Sequence, residues 1–313
     1  MDLYEEIIKG NKVALAKGIT IIESSLESDI IQAQKLILDC KSYSGNSIRI
    51  GITGVPGVGK STFINSFGKY LTSLGNYVSV LAIDPSSERS QGSILGDKSR
   101  MNELAIDKNA FIRPTPSSGN LGGIARKTKD TITLCEAAGF NIILIETVGV
   151  GQSETTVSNI CDFFLLLMLS GAGDELQGIK RGITELADML IITKAEGENK
   201  QKAKNAKQEY QRALHLFPAS ENGWTPKVSV CSAIANTGIS ETWKVIDTFR
   251  NQMTSNHWIT ENRKRQEVYW LHHIIKQEFG NKKYKSLVNE GTLINYEQQI
   301  EKGINTYQII NNI

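Results

Sequence analysis

Three observations in this sequence predict an α/β fold, a mainly parallel sheet flanked by helices, with helical extensions at both ends of the chain. Apolar runs too short for helices, such as Asn141 to Ile145 and Asp162 to Leu169, alternate with stretches of helical periodicity. Runs of that kind are what parallel strands lying between two layers of helices require. A β-prone run with isoleucines at alternate positions, Ile48, Ile50 and Ile52, leads straight into a glycine-rich loop and then a helix. Before Ser42 and after His257, apolar residues recur at the three- and four-residue spacing of helices.

The loop reads Gly54-Val55-Pro56-Gly57-Val58-Gly59-Lys60-Ser61-Thr62, the spacing G-x-x-x-x-G-K-[ST] of a P-loop. Its glycines let successive backbone N–H groups turn inward around a phosphate. Helix-forming sequence from Thr62 to Leu74 follows, so orphan N–H groups and the helix dipole add to the charge of Lys60 at the β- and γ-phosphates. Ser61 is placed to ligate magnesium. Strand, loop and helix in this order predict a P-loop NTPase that binds nucleotide through residues 54–62.

The 313 residues, 40% hydrophobic and 22% charged, suit a globular protein with one substantial core. With 35 basic and 33 acidic residues, a net charge of +2 and no dominant basic block, the composition calls for neither nucleic acid nor a membrane. Cys40, Cys135, Cys161 and Cys231 stand far apart, which points away from a zinc site or a disulfide framework and fits a reducing cytosol. The start, MDLYEEIIKG, has the composition of neither a signal nor a transit peptide, so a cytoplasmic protein is expected. The longest apolar run, Phe163 to Leu169, falls well short of the about 20 residues that span a bilayer.

Residues 1–46 are expected to form an N-terminal helical extension. Leu3 and Ile7, then Leu15, Ile19, Ile22, Leu26, Ile30, Ala33 and Ile37 recur at helical spacing, with Gly10 and Gly18 as the expected breaks. The nucleotide domain is expected over residues 47–252. After the P-loop helix, Tyr77 to Ile83 forms a second strand that ends on Asp84-Pro85. An acid at the tip of a parallel strand points into the crevice where α/β sheets bind ligands. Asp84 therefore either reaches a magnesium-bound or attacking water, or simply opens the turn with Pro85. The polar segment Ser86 to Arg100 reads as a switch loop, in which Asp97, Lys98 and Arg100 are either solvated charges or groups that organise magnesium and phosphate. Ala110 to Arg113 is a short strand, Pro114 to Gly123 a loop, and Ile124 to Ala138 a helix closed by Gly139.

The strand Asn141 to Ile145 runs into Glu146-Thr147-Val148-Gly149. A carboxylate at a strand tip, followed by a glycine, suits Glu146 to the metal and the N–H of Gly149 to sensing the γ-phosphate. A third glycine-rich loop, Ser170 to Arg181, contains Lys180, either a contact to nucleotide or partner or a solvated lysine. Strands Asp188 to Ile192 and Val228 to Val230 lead into Thr193-Lys194-Ala195-Glu196 and Ser232-Ala233. These resemble the guanine-reading elements of GTPases, in which a lysine packs on the base and a carboxylate accepts the N1 and N2 hydrogens that adenine lacks. Thr193 and Glu196 stand where Asn and Asp are usual. Glu keeps both acceptor oxygens, so guanine preference is expected to persist with altered affinity. Gly197 to His215 is a basic helix read as a solvated face, and Gly238 to Arg250 closes the domain. Residues 253–313 are expected to be helical, a tail that either folds onto the nucleotide domain or forms a dimer arm. His272 and His273 are adjacent on a helix and point about 100° apart, a poor chelate.

In GVPGVGKST, AIDPSSERSQGSILGDKSRM, ETVGVGQSE and GAGDELQGIKRG the chain resembles the MeaB family, also known as ArgK or LAO/AO transport ATPases. These are SIMIBI-class P-loop GTPases that act as chaperones of adenosylcobalamin-dependent acyl-CoA mutases such as methylmalonyl-CoA mutase. The resemblance implies GTP, GDP and Mg2+ as ligands, with Lys60 and Ser61 on phosphate and metal. It puts Asp84, Asp97 and Glu146 in the metal and switch chemistry and Lys180 in a loop that relays nucleotide state to the mutase. It further implies a GTPase, slow alone and faster with the mutase, that gates cofactor loading and protects the mutase. A homodimer through residues 253–313 is implied as well. Two other readings stand beside it, an ATP-dependent kinase or ATPase linked to amino-acid transport and a metal-delivery GTPase of the same class. Lys194 with Glu196 favours guanine against the first, and the lack of a His- or Cys-rich tract disfavours the second. No D-x-H-x-x-G sequence, the pattern by which mutases offer a histidine to cobalt, is present, so the chain is not expected to bind cobalamin tightly.

Overall fold

The computed structural model describes residues 2–84, 101–116, 121–147, 157–171, 181–214 and 220–313. Its strands are β1 (Ile48–Gly54), β2 (Val78–Asp84), β3 (Ala110–Pro116), β4 (Ile142–Thr147), β5 (Phe163–Met168), β6 (Met189–Ile192) and β7 (Lys227–Val230). All seven pair in parallel, in the order β3-β2-β4-β1-β5-β6-β7. Period-2 alternation divides their side chains between two cores. Ile48, Ile50 and Ile52, with Ile142, Leu144, Phe163 and Leu165, pack against the helices Lys60–Ser73 and Ile239–Ser255. Ile143, Ile145, Phe164 and Leu166 face the other way, toward the N-terminal helices and the helix Leu121–Ala137. Each side chain of this size, fully buried, contributes about 1.5–3 kcal/mol, so the apolar runs that mark the strands in the sequence also hold them between two helical layers.

The N-terminal extension is three helices, Leu3–Ile8, Lys12–Glu23 and Glu27–Cys40. The first ends before Gly10, as expected, but Gly18 lies inside the second. A Cβ at Gly18 would stand 2.9 Å from Leu134 and 3.0 Å from Ile7. Glycine there lets helices approach closely; the break comes instead at Ser24, whose backbone is extended. Pro114 and Pro116 lie within β3 rather than in a loop. That strand pairs with β2 alone, and the open side of an edge strand has no ladder bond for proline to remove. The helix after it begins at Leu121, so Gly122 and Gly123 are helical rather than part of the loop.

The tail folds onto the nucleotide domain. Helix Trp258–Asn289 is broken at Gly280 (φ 78, ψ 166) and is followed by Thr292–Glu301 and Thr306–Ile310. Its stripe of Leu271, Ile274 and Ile275 is covered by Leu287, Leu293, Ile300, Ile309 and Ile310 of the chain itself. Arg263 pairs with Asp162 at 2.6 Å and donates to the carbonyls of Gly45 and Ser47 at 2.6 and 2.7 Å. Trp270 Nε1 donates to the Asn159 carbonyl at 3.1 Å, while Arg126 pairs with Glu278 and the Tyr307 hydroxyl donates to Asp130. No helix among the described residues is long and apolar enough to cross a membrane.

Candidate nucleotide site

In a parallel sheet the C-terminal strand ends lie at one edge, where α/β folds bind ligands. Ile52 of β1 and Ala82 of β2 both stand level with Glu146 of β4, so P-loop and carboxylate share that edge. β1 ends on Gly54, where a Cβ would lie 2.5 Å from the carbonyl oxygen of Leu167. No other residue fits that approach. Gly59, at φ 97, is the N-cap of helix Lys60–Ser73 and supplies no side-chain cap, an arrangement that leaves the helix N-terminus suited to an anion.

Lys60 Nζ donates to the Gly54 carbonyl at 2.7 Å and reaches that of Val55 at 3.4 Å, so the ammonium lies across the mouth of the loop. Ser61 Oγ donates to Glu146 Oε1 at 3.1 Å. Glu146 is buried, and beside it Thr147 donates to the Thr53 hydroxyl at 2.8 Å, joining β4 to β1. A hydroxyl and a carboxylate are the hard oxygen donors that magnesium takes, so Ser61 and Glu146 fit that ion. Among the described residues no three His, Cys, Asp or Glu side chains form a metal cluster. His272 instead bonds Tyr284 and Glu297 at 2.9 Å each, a structural use of that histidine. Asp84 closes β2 at the same edge, although its side chain lies outside what is described. Asp97, Gly149 and Lys180 lie outside the described residues altogether.

Just past the end of β6, Lys194 is exposed with its backbone at φ 55, and its Cε lies 4.0 Å from where a Cβ on Gly59 would be. The Lys194 stem therefore runs beside the P-loop. Glu196 Oε2 is buried with no hydrogen-bond partner. Leaving such an acceptor unsatisfied costs about 1–3 kcal/mol, which a ligand N–H would relieve. Burial, with the charges of Glu196 and Glu241, pushes the neighbouring Cys231 thiol up to about 12, so it stays protonated. Ser232 is buried and its Oγ accepts from the Ala235 N–H at 3.0 Å, so its hydroxyl shapes its own turn. The Ala233 carbonyl accepts from Ser66 Oγ at 2.9 Å, which ties that turn to the P-loop helix.

Sequence reasoning treats Thr193 only as a departure from the usual Asn. In the structure it is buried, and its hydroxyl contacts the Val58 carbonyl at 2.8 Å and that of Met168 at 3.1 Å. The turn at residues 193–196 is thereby fixed to the P-loop at Val58. The one signal in the sequence is a small hydroxyl residue at the end of a wholly apolar strand.

A family model described as methylmalonyl Co-A mutase-associated GTPase MeaB matches residues 15–287. A protein of Mycobacterium tuberculosis named as a probable GTPase is 48% identical over 267 residues, 85% of this chain and 80% of that one. GTPase ArgK of Escherichia coli is 43% identical over 273 residues, 87% of this chain and 82% of its own. The mitochondrial methylmalonic aciduria type A homolog of Mus musculus is 45% identical over 285 residues, 88% of this chain and 69% of its own. Among solved structures, the crystal structure of an LAO/AO transport system kinase is similar with a TM-score of 0.76 and 32% identity, covering 96% of each chain.

Proposed function

This chain belongs to the MeaB family of methylmalonyl Co-A mutase-associated GTPases, and from that premise we propose that it hydrolyses GTP to gate adenosylcobalamin loading and protection of an acyl-CoA mutase. Methylmalonyl-CoA mutase is the first client to test. The observation that carries the nucleotide reading is the buried, unpartnered Glu196 Oε2 on a turn fixed to the P-loop by Thr193. Guanine offers a carboxylate its N1–H and N2–H pair, whereas adenine has an acceptor at N1 and no amino group at C2, which also weighs against an ATP-dependent kinase.

Lys60 and the N-terminus of its helix take the β- and γ-phosphates. Ser61 and Glu146, with Asp84 and Asp97, are the proposed Mg2+ ligands, directly or through water, and the bound ion supplies neutralisation of phosphate charge. Gly149 senses the γ-phosphate, Lys194 covers the base and Glu196 accepts its hydrogens. Lys180 passes the nucleotide state to the mutase. The proposed assembly is a homodimer through the C-terminal helices, whose Tyr269, Phe279, Val288 and Ile294 remain exposed beyond the covered core. Cytoplasmic action is in keeping with four free, buried cysteines.

Two substitutions test the division of roles. Lys60→Ala is expected to abolish GDP binding in calorimetry. Lys180→Ala is expected to keep the slow intrinsic hydrolysis and to lose the rise with added mutase. Equal stimulation of Lys180→Ala and wild type would refute the relay.

A further inference from the structure

We propose that Asn199 is a positioning residue for guanine recognition, holding the turn at residues 194–196 in the shape that presents Glu196 to the base. The inference rests on the guanine reading above and adds to it a residue outside the Thr193-Lys194-Ala195-Glu196 stretch.

The turn leaves β6 at Ile192 and enters the helix Asn199–Leu214. It is held in three places. Thr193 bonds the carbonyls of Val58 and Met168, and the Ala195 N–H donates to the Cys231 carbonyl at 3.1 Å. Asn199 is the third. Its Nδ2 donates to the Lys194 carbonyl at 2.7 Å, its Oδ1 accepts from Ser170 Oγ at 2.7 Å, and its backbone N–H donates to the Glu196 carbonyl at 3.0 Å. One residue thus closes the turn on both sides of Ala195 and ties it to the chain leaving β5.

The turn needs such a hold. Lys194 has a left-handed backbone, which is costly for a residue with a Cβ and persists where surrounding contacts over-determine it. The bond from Asn199 to its carbonyl is one of those contacts. Glu196 Oε2, buried with no hydrogen-bond partner, has no bond of its own to fix it, so its position is set by the turn that carries it. The bridge also demands an amide, because it must donate to a carbonyl on one side and accept from a hydroxyl on the other. A carboxylate would set negative charge against the Lys194 carbonyl. The competing explanation is that Asn199 merely starts its helix, where Asp would serve at least as well through the helix dipole.

The test is calorimetric binding of GDP, IDP and ADP to the full chain, as wild type, Asn199→Ala and Asn199→Asp. IDP lacks the 2-amino group that Glu196 would accept from. Wild type is expected to prefer GDP over both. Asn199→Ala is expected to weaken GDP about three- to tenfold, the scale of one hydrogen bond, and IDP by less, so the GDP/IDP ratio contracts. Asn199→Asp is expected to contract it further, and KM for GTP to rise with kcat unchanged. Ser170→Ala, which removes only the hydroxyl orienting the amide, is expected to give a smaller contraction and serves if Asn199→Ala does not fold. The proposal is overturned by a variant that binds GDP like wild type, by equal losses for GDP and IDP, or by Asp performing at or above Ala. Wild type that fails to prefer GDP over ADP would instead remove the guanine reading beneath it.

Discussion

Glu196 and Asp188 are both partly buried carboxylates, and their surroundings differ. In the proposed site the unpartnered Glu196 atom accepts from guanine, so Glu196→Gln, which can present an N–H to another donor, is expected to cost most of the preference for GDP over ADP in competition binding. Asp188 accepts from the Phe164 N–H at 2.8 Å at the far end of β6 from the nucleotide. Burial pushes its carboxyl up to about 7; the Phe164 N–H opposes that shift and Asp162 nearby adds to it. The folded chain therefore holds this proton over a range, from about 4 to about 7, in which the unfolded chain has lost it. Stability from this group is greatest below the unfolded value and falls as pH rises through that window. Asp188→Asn keeps an acceptor for Phe164. It is expected to exceed wild type in urea midpoint near pH 8, with the advantage shrinking toward pH 4. A pH-independent difference would contradict this account of Asp188.

At the scale of elements, the tail is joined to the sheet at the end opposite the P-loop. Arg263 reaches from helix Trp258–Asn289 to Asp162, whose side chain is fully buried, and to the carbonyls of the linker at residues 45–47. Nearby, burial raises the Glu136 carboxyl, but the Arg49 guanidinium outweighs it, with Arg263 and Ser47 assisting, and brings it down to about 2. Arg263→Ala leaves a buried carboxylate without its ion, a loss of about 3–5 kcal/mol, read as a lower urea midpoint. Because Arg263 sits at the start of β1 and nucleotide binds at its end, GDP affinity of the folded variant is expected to match wild type. A large loss of affinity with stability intact would show that the tail acts on the site directly. None of this is legible in the sequence, where Arg263 and Asp162 are 101 positions apart. Gly18 misleads for the same reason, since its value lies in Leu134, a neighbour supplied by another helix.

For the whole molecule, the sheet and the phosphate loop are legible because each is a local pattern. β5 and the first four residues of β4 are apolar because both faces are covered, and G-x-x-x-x-G-K-[ST] is contiguous. Position in the sheet is not local, so the tolerance of β3 for Pro114 and Pro116 becomes visible only once its partner is known. The same division runs through the site: Lys60, Ser61, Glu146, Lys194 and Glu196 are marked by spacing. Thr193 and Asn199 are marked by what they touch. Together they describe a GTPase whose turn at residues 193–196 is hydrogen-bonded to the P-loop, with a tail built onto the opposite edge. The most direct test of its proposed task is turnover of GTP and of ATP by the purified chain, with and without methylmalonyl-CoA mutase from the same source. The account predicts slow GTP hydrolysis that rises several-fold with the mutase and little activity on ATP. GTP turnover indifferent to the mutase, or a preference for ATP, would contradict it.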